Sequence, residues 1–534
     1  MKIRSLLLAI VGILFPFVIF AQENAAQDIG IDEQINLAFK PISDFFSNLI
    51  FFTVFDTPFV LILLVASAAF FTVYFGFVNV RHFKTAINVV RGKYDSVDPD
   101  HGVAKTDLPI DGDILDTIRD ESSSGEVTHY QALATAVSGT VGNGNIAGVA
   151  LAIALGGPGA TFWMIVCGLL GMSTKFVECT LGVQYRDVDP DGTVHGGPMY
   201  YLSKGLKEKG FATLGKVSAV LFAIFCIGGS FGGGNAAQSN QATIVLKDLM
   251  GLSHAGSGFF IGVILAILVG IIIIGGIKRI ASVTEKVVPF MAVLYLVACI
   301  YIVVSNFSLV DDAISLIFVE AFNPKAIGVG GAIGVLLVGF KRAAFSNEAG
   351  AGSASIAHSA VKTKYSASEG LVALLEPFID TVVICTMTAL VIIIFNMGGA
   401  FTYGGDGSGA VLIDGVSYEG AGITSQAFAQ YIPFSDVFLT IAVVLFAVST
   451  MISWSYYGLQ SWKFLFGKGK MADLTYKMLF LIFIIIGAAA NMKSIWDFSD
   501  AMIFAMVFPN MIGLFFLFPK VNEQLKRYLK AIGK

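Results

Sequence analysis

Long apolar runs dominate this sequence and restrict its fold more than any other feature. Each run has about 20 residues, enough for an α-helix to cross a hydrocarbon core of about 30 Å. Of all residues, 55% are hydrophobic and 13% are charged, and the short alternating segments typical of an outer-membrane barrel are not seen. We therefore expect an all-α polytopic membrane protein with eleven spans. The predicted spans are 57–80, 131–155, 158–183, 216–236, 257–276, 287–305, 327–350, 377–397, 434–457, 474–491 and 498–519.

The N-terminal residues carry the pattern of a secretory signal peptide. Lys2 and Arg4 precede an apolar stretch, and the residues before Gln22 resemble a cleavage site. We expect a cleaved signal peptide over residues 1–21, with an uncleaved additional span as the alternative. In either case the segment 22–56 is predicted to be extracytoplasmic.

Lysine and arginine are distributed unevenly between the two sides of the predicted membrane. With the mature N-terminus outside, 25 of the 34 Lys and Arg residues fall on the cytoplasmic side and only four fall outside. Such an excess marks the cytoplasmic side of a membrane protein. We therefore predict a multi-pass protein of the bacterial inner membrane that enters the bilayer with its first transmembrane helix at 57–80. Its C-terminus, the basic tail 520–534, is predicted to be cytoplasmic.

Several function classes find no support in the sequence. A phosphate-binding loop of the form G-x-x-x-x-G-K-[ST] does not occur, which argues against an ATP-driven pump. The zinc motif H-E-x-x-H does not occur either, and we expect no enzymatic activity. No large soluble domain remains between the spans, so the lipid bilayer and a small solute are the expected partners, without nucleic acid. The longest inner loop, 81–130, begins with a basic segment that we predict to be an interfacial helix.

Two spans are interrupted by glycine and polar residues at a depth where an unpaired polar group costs several kcal/mol. In the second span the stretch 138–159 reads SGTVGNGNIAGVALAIALGGPG, with Asn143 and Asn145 between glycines. In the seventh span the stretch 328–358 is apolar at first and then becomes polar and rich in glycine. Both spans are therefore predicted to break within the membrane.

The two interrupted spans lie five spans apart, which indicates an internal repeat. Because five is an odd number, the halves 131–305 and 327–519 would lie inverted in the membrane. Glycine-interrupted segments at matching positions of inverted repeats indicate the midplane site of a secondary transporter. Unwound backbone exposes carbonyl oxygens to a cation and N–H groups to a carboxylate. Close helix packing through small residues is the alternative interpretation.

At these residues the sequence resembles the alanine or glycine:cation symporter family. The resemblance covers nearly all of the mature chain and rests on five motifs in family order. The motifs are GTVGNGNIAG (139–148), GGPGATFWM (156–164), GGPMYYL (196–202), FSNEAGAGSASIAH (345–358) and STMISWSYYG (449–458). The resemblance implies a LeuT-type fold, a 5+5 inverted repeat preceded by one extra transmembrane helix. It also implies cotransport of small neutral amino acids with Na⁺, or in some members with protons.

The resemblance also implies roles for individual residues. The N–H groups of Asn143 and Gly144 would face the substrate carboxylate, and Trp454 would narrow the pocket so that small side chains are favoured. The residues expected near the substrate are Asn143, Gly144, Asn235, Gln238, Phe345, Thr450 and Trp454. The residues expected to bind sodium, a hard ion that prefers oxygen ligands, are Ser138, Thr140, Val141, Asn145, Ser449 and Thr450.

Several of these residues have a structural alternative. The hydroxyls of Ser449 and Thr450 could bond to the preceding turn of their own helix. The amides of Asn235 and Gln238 could join helices instead of binding substrate. The indole of Trp454 could belong to an interfacial aromatic belt.

Charged residues inside two spans permit further predictions. Lys175 and Glu178 are three residues apart on one helix, so we expect them to pair with each other. Arg342 and Glu348 flank the second break and are expected either to form an inner gate or to lie at the cytoplasmic surface. We assign no metal-binding role to His358.

Taken together, these features predict a monomeric, sodium-coupled symporter that imports alanine and glycine by alternating access. One charge that crosses about 100 mV supplies about 2.3 kcal/mol, which supports roughly 40-fold accumulation. The alternatives are a sodium- or proton-coupled carrier for another small zwitterionic solute and, less favoured, a channel.

Overall fold

The computed structural model describes residues 31–97, 125–190, 192–252, 254, 256–322, 331–405 and 407–534. The signal peptide predicted for residues 1–21 lies outside the described residues. The second half of the loop 81–130 and the first residues of the seventh predicted span lie outside them as well.

The described chain is almost entirely helical. We number the helices in chain order, and a helix that continues through a π-helical turn keeps one number. They are α1 (Ile31–Ile50), α2 (Phe59–Tyr74), α3 (Val78–Arg81), α4 (Phe83–Val90), α5 (His129–Thr140), α6 (Gly144–Gly156), α7 (Gly159–Gln184), α8 (198–208), α9 (Ala212–Met250), α10 (Ser257–Ile273), α11 (Gly276–Ser305), α12 (Val310–Phe322), α13 (Gly331–Asn347), α14 (Ser355–His358), α15 (Ser366–Gly398), α16 (Ala421–Ala429), α17 (Ser435–Phe466), α18 (Lys470–Ala489) and α19 (Met492–Ala531).

Strands within the described residues are confined to three short antiparallel hairpins in the connections. The paired strands are β1 (Thr53–Val54) with β2 (Thr57–Pro58), β3 (Asp187–Val188) with β4 (Val194–His195), and β5 (Val411–Ile413) with β6 (Val416–Tyr418). Both residues of β4, Val194 and His195, are buried.

The helices agree with the predicted membrane spans. Within the described part of the chain, seven helices are long and apolar enough to cross a membrane, and the bent pair α5 and α6 adds an eighth. The shorter apolar helices α2 and α10, together with α13, coincide with further predicted spans. The helical, polytopic architecture is thereby confirmed. The count of eleven spans and the inverted repeat stay predictions.

The helices differ in how far other helices cover their apolar surface. In α17 and α19, 67% and 72% of the most apolar segment is buried inside the protein, against 28% in α11. Outward side chains of α11 such as Phe290 and Val297 are exposed, as expected for a helix that faces lipid. The helices α17 and α19 therefore lie at the centre of the bundle, and α11 lies at its edge.

The first predicted break is present between α5 and α6. α5 ends at Thr140 and α6 begins at Gly144, and the axes of the two helices differ by 51°. Val141 leaves the helical conformation with φ −75° and ψ 92°. The chain therefore turns within the membrane at the glycines that the sequence places there.

The second predicted break is present between α13 and α14. α13 ends at Asn347, and Glu348 follows with φ +55°, a left-handed conformation that few residues other than glycine adopt. At Gly350, with φ +95°, a Cβ atom would lie 2.2 Å from Leu64 Cδ2. The close approach of α2 and the positive φ both explain why glycine occupies this position.

Single π-helical turns widen several helices near these breaks. Such turns occur frequently at functional sites. The turns of α6, α9 and α15 contribute residues to the site described below. The π-helical turns are Gly144–Gly148 in α6, Tyr201–Gly205 in α8, Gly232–Ala236 in α9 and Phe378–Cys385 in α15.

Helix α1 lies in the segment 22–56, for which the sequence analysis predicts no helix. It packs on α19, where Ser43 Oγ donates to Ser494 O at 2.7 Å and the Phe39 and Phe498 rings lie 5.1 Å apart. α1 is amphipathic and contains Pro41, so it has no long apolar run. Tertiary packing on α19 supplies the stabilisation that a search for apolar runs does not detect.

Candidate functional site

The polar residues of the first break satisfy the backbone that unwinding exposes. Gly142 N donates to Asn145 Oδ1 at 2.8 Å, and Asn143 N donates to Gln238 Oε1 at 2.9 Å. Because an unpaired backbone group is costly at this depth, these amide side chains stabilise the broken helix. At Gly142 a Cβ atom would lie 2.4 Å from Thr450 Oγ1. Glycine there is what allows α17 to approach the break.

A small cavity lies between the two breaks. About 10 Å³ of it is open to the centre of a water molecule, close to what one water requires. A solute of several heavy atoms therefore enters only if the walls move apart. Four of the seven residues predicted near the substrate line the cavity. The lining consists of Gly139, Thr140, Gly144, Gly233, Gln238, Phe345, Ser346, Glu348, Trp454 and Ile503.

Trp454 forms one wall of the cavity. Its Nε1 donates to Glu348 Oε1 at 2.8 Å, and Glu348 also accepts from Ser353 Oγ. The indole fits because the facing helix carries glycine, since a Cβ at Gly234 would lie 2.2 Å from Trp454 Cγ. Trp454 is 1% exposed. It therefore belongs to the interior and not to an interfacial belt.

A buried carboxylate adjoins the cavity behind Ser346. Asp380, in the π-helical turn of α15, accepts from Asn145 Nδ2 at 2.7 Å and from Ser346 Oγ at 3.0 Å through Oδ1. Its Oδ2 accepts from Thr381 Oγ1 at 2.7 Å. We call Asp380, Asn145, Ser346 and Thr381 the carboxylate cluster. Among the described residues, no basic side chain lies within 4.0 Å of the Asp380 carboxylate.

A second group of oxygen atoms joins the first break to α17. Thr450 Oγ1 donates to Ser138 O at 3.0 Å and lies 3.4 Å from Val141 O. Ser138 Oγ in turn donates to Ser449 O at 2.7 Å. We call Ser138, Val141, Ser449 and Thr450 the hydroxyl cluster. Its oxygens come from the two elements on which sodium ligands are predicted.

An ion pair and two aromatic rings lie beside the cavity on the side of α13, and of these residues Phe345 lines it. Arg342 pairs with Asp500 of α19, and Lys341 Nζ lies 2.9 Å from the same carboxylate. The Arg342 guanidinium lies over the Phe345 and Trp496 rings, at 5.5 Å and 5.3 Å from their centroids. We call Arg342, Asp500, Phe345 and Trp496 the lid.

The position of the lid corrects one of the two predictions for Arg342. Arg342 is 5% exposed, so it does not lie at the protein surface. It precedes the second break on α13, whereas α14 follows that break, so in the predicted orientation the lid lies on the outer side. A role of Arg342 in an inner gate disagrees with that predicted orientation and stays a prediction.

The donor groups of the remaining predicted residues bond to other groups of the protein and not to open space. Asn235 Nδ2 donates to Phe480 O of α18 at 2.6 Å, which is an interhelical contact. Thr140 lines the cavity with its hydroxyl near Ala136 O and Val137 O, both at 3.3 Å. The N–H group of Asn143 donates to Gln238, as described above, and does not point into open space.

The expected pairing of Lys175 with Glu178 is wrong. Lys175 Nζ donates to Glu376 Oε1 of α15 at 3.2 Å, and both side chains are fully buried. Glu178 instead accepts from Asn510 Nδ2 of α19 at 2.7 Å. In a tightly packed bundle, a carboxylate on a neighbouring helix competes for a lysine with a carboxylate on the same helix. Here Glu376, on the neighbouring helix, lies closer to Lys175 than Glu178 does.

Sequence reasoning missed two functional candidates, Asp380 and Asp500. Both lie inside predicted spans, and an ionisable residue within a span is a candidate functional residue on that ground alone. That signal was available for both. Glu369 and Glu376 precede the predicted span 377–397, so the same rule would not have identified them.

Helices interrupted around a buried cavity, with charged side chains beside it, are typical of secondary membrane transporters. Comparison with known proteins agrees with this class. Residues 111–534 match the sodium:alanine symporter family. The chain belongs to this family, whose members are transporters and not enzymes.

Three individual matches illustrate the relationship. The sodium/alanine symporter AgcS of Methanococcus maripaludis is 37% identical over 472 residues, which cover 88% of this chain and 94% of the relative. The probable sodium/glutamine symporter GlnT of Bacillus subtilis is 33% identical over 479 residues, 89% of each chain. Among solved structures, MhsT in complex with L-phenylalanine matches with a TM-score of 0.47 and 13% identity, over 75% of this chain and 99% of that one.

Proposed function

We propose that this protein is a sodium-coupled symporter that imports small neutral amino acids, such as alanine and glycine, by alternating access. Family membership supplies the coarser statement, a membrane transporter related to sodium-coupled amino-acid symporters. The observation that carries the finer proposal is the buried Asp380 carboxylate. It faces the first break and has only neutral hydrogen-bond partners among the described residues.

The carboxylate cluster supports a sodium site. A buried carboxylate without compensation is strongly unfavourable, and a cation that arrives from solution supplies the missing charge. Asp380, Ser346 and Thr381 offer carboxylate and hydroxyl oxygens, which suit a hard cation, while Asn145 faces Asp380 with its amide nitrogen. Because Asp380 bonds both to Asn145 of the first break and to Ser346 of α13, a sodium ion on Asp380 would lie where the two broken helices meet.

The hydroxyl cluster supports a second cation site. Carbonyl oxygens of Ser138 and Val141 lie within 3.4 Å of Thr450 Oγ1, so at least three oxygens converge between α5 and α17. A cation bound there would fasten the moving half-helix α5 to α17. The stoichiometry that follows from this proposal is two sodium ions for each substrate.

The cavity supports a small zwitterionic substrate. The N-terminus of α6 at Gly144 lines the cavity, and a helix N-terminus favours a carboxylate. Glu348 on the opposite side offers an acceptor for the substrate ammonium group. Phe345, Trp454 and Ile503 enclose the remaining space. These three apolar walls leave room for a hydrogen atom or a methyl group in preference to a long side chain.

Transport by purified protein in proteoliposomes tests the proposal. Labelled alanine is added outside with an inward sodium gradient, and parallel vesicles receive potassium at the same concentration. We expect concentrative, saturable uptake with sodium only, inhibited by unlabelled glycine and little by glutamine. Equal uptake in both salts would refute sodium coupling. Unsaturable flux would indicate a channel, and stronger inhibition by glutamine than by glycine would refute the proposed substrate class.

A further inference from the structure

A chain of ionisable side chains runs through the buried interior next to the cavity. His129 Nδ1 contacts Glu369 Oε2, and Glu369 Oε1 lies 2.5 Å from His358 Nδ1. His358 Nε2 lies 3.4 Å from Glu376 Oε2, and Glu376 Oε1 accepts from Lys175 Nζ at 3.2 Å. We call these five residues the histidine–carboxylate chain. None of them lines the cavity.

The histidine–carboxylate chain connects four helices and reaches solvent at one end. His129 is the first residue of α5, His358 is the last of α14, Glu369 and Glu376 belong to α15, and Lys175 belongs to α7. The side chain of His129 is 15% exposed, whereas the other four are fully buried. In the predicted orientation the start of α5 faces the cytoplasm, so the chain leads inward from that side.

The position of His358 between two carboxylates favours an additional proton in the chain. Its Nδ1 bonds to Glu369, and its Nε2 lies 3.4 Å from Glu376 Oε2, although neither of these last two atoms has a hydrogen-bond partner among the described residues. A neutral imidazole donates from one nitrogen only and would present a lone pair to the other carboxylate. A proton on His358 or on one of the carboxylates removes this repulsion. In both cases one proton more is bound than in a neutral imidazole between two carboxylates.

We propose that the histidine–carboxylate chain binds a proton that the transporter exchanges with the cytoplasm once in each transport cycle. This inference rests on the proposed function, because it needs a transport cycle in which α5 moves. The proton passes from water to His129, from His129 Nδ1 to Glu369, and from Glu369 to His358 Nδ1. Each transfer breaks one bond to hydrogen and forms another, and no further reactant is needed.

The bound proton fastens α5 to the rest of the bundle. With the proton present, His129, Glu369 and His358 are joined across α5, α15 and α14. When α5 moves away to open the inner side, the contact between His129 and Glu369 breaks and water reaches Glu369. The proton then equilibrates with the cytoplasm. An acidic cytoplasmic side therefore favours the closed position of α5 and slows release of the substrate.

Other titratable groups around the chain are either buried with it or lie at the surface. Glu348, Glu178 and Cys179 act electrostatically on Lys175, and Tyr457 of α17 faces Glu376 and Glu348. The first residues of α15 also pack against α4 and α19, whose nearby charges are exposed or paired with each other. These charges are Lys84 on α4 and Lys520, Glu523, Lys526 and Arg527 on α19.

Control of the pH on each side of a proteoliposome tests the proposal in the wild-type protein. Vesicles that hold the protein with its cytoplasmic side facing inward take up labelled alanine under a fixed sodium gradient. In the first series the internal pH is varied between about 6 and 8, where histidine titrates, at constant external pH. In the second series the external pH is varied over the same range at constant internal pH. We expect uptake to slow by up to about tenfold for each unit of internal acidification, the limit for one proton, and to respond little to external pH.

The outcomes separate the two proposals. Three outcomes overturn the proton site and leave sodium-coupled transport intact. Uptake is then independent of internal pH, depends equally on internal and external pH, or becomes faster when the internal pH is lowered. Absence of uptake at every pH, while the protein is folded and in the vesicles, refutes the proposed function itself.

Two variants sharpen the test. Glu369→Gln removes the carboxylate between the two histidines, and we expect its uptake to lose the dependence on internal pH. His195→Gln is the matched control, because His195 is also buried but bonds to Gln460 and Asp189 outside the histidine–carboxylate chain. This control should keep the wild-type pH profile. A Glu369→Gln protein with the unchanged wild-type profile would contradict the proposal, and if this variant does not fold, the wild-type measurement decides alone.

Discussion

Two buried aspartates beside the cavity have opposite surroundings. Asp380 and Asp500 are 0% and 2% exposed. Asp500 pairs with Arg342 and Lys341, whereas Asp380 contacts only amide and hydroxyl donors among the described residues. The same side chain at the same degree of burial thus forms an ion pair in one place and accepts hydrogen bonds only from neutral donors in the other.

The difference teaches how a membrane interior can use a carboxylate. A buried ion pair is complete in itself, and to separate it costs several kcal/mol because each charge is then left without compensation. A carboxylate among neutral donors is incomplete and becomes stable when a cation from solution joins it. The partner therefore decides whether an aspartate holds two helices together permanently or only while an ion is bound.

The largest expected effect is the loss of sodium coupling in Asp380→Asn. The substitution keeps the size of the side chain and removes the charge that attracts the cation. We expect at least a 100-fold weaker sodium affinity, about 2.7 kcal/mol, and no sodium-driven alanine uptake. Thermal unfolding at increasing sodium concentration measures the affinity, since a ligand stabilises the state that binds it. If the sodium concentration that gives half of the stabilisation is unchanged, Asp380 does not bind sodium and the proposed difference between the two aspartates is wrong.

The next effect is a loss of stability in Asp500→Asn. This change leaves the buried Arg342 guanidinium without its carboxylate, at a cost of about 3 kcal/mol or more. We expect a lower midpoint of unfolding both with and without sodium. The double variant Arg342→Gln, Asp500→Asn should recover part of the loss, because no charge is left unpaired. Additive losses in the double variant would show that the two side chains do not act as a pair.

A smaller effect is expected for Thr450→Val in the hydroxyl cluster. Valine keeps the shape of threonine and removes one oxygen that faces Ser138 O and Val141 O. The loss of one ligand or hydrogen bond corresponds to about 1 kcal/mol, or about a fivefold weaker apparent sodium affinity in uptake. Thr440→Val in the same helix is the control, since Thr440 bonds to Val245 O at 3.5 Å, outside the cluster. Equal shifts in both variants would speak against a cation at Thr450.

The smallest effect is expected for Asp497→Asn. Asp497 lies one turn from Asp500 on α19 and pairs with Lys493 at 2.8 Å, with side chains that are 30% and 78% exposed. Such surface pairs contribute about 0.5 kcal/mol or less. The unfolding midpoint and sodium affinity should stay close to wild type. An unfolding midpoint as low as that of Asp500→Asn would mean that loss of any carboxylate in this part of α19 has the same effect. Burial of Asp500 would then not explain the effect of its substitution.

The breaks could be predicted because their cause is local. Glycines and the amides Asn143 and Asn145 interrupt an apolar run, and the structure uses them to unwind the helix and to satisfy its freed backbone. The cavity walls Phe345 and Trp454 followed from the family resemblance and line the cavity. Their roles in binding stay predictions, as do those of the other proposed ligands.

The pairing of charged residues could not be predicted in the same way. Lys175 and Glu178 satisfy the spacing rule for one helix, but Glu376 is 201 positions from Lys175 and lies closer. Arg342 similarly pairs with a residue 158 positions away. Contacts over such distances depend on how helices pack, and spacing along one helix contains no information about that.

The linear order of residues by itself predicted where the long apolar helices lie, because burial of apolar side chains in lipid needs only a run of sufficient length. It also determined where two of these helices break, because glycine and amide groups act on the backbone beside them. Only the tertiary structure decided which charges meet. A buried charge is stabilised by whatever group packing brings within a few ångströms. For Asp500 that group is a pair of cations, and for Asp380 it is a set of neutral donors among the described residues.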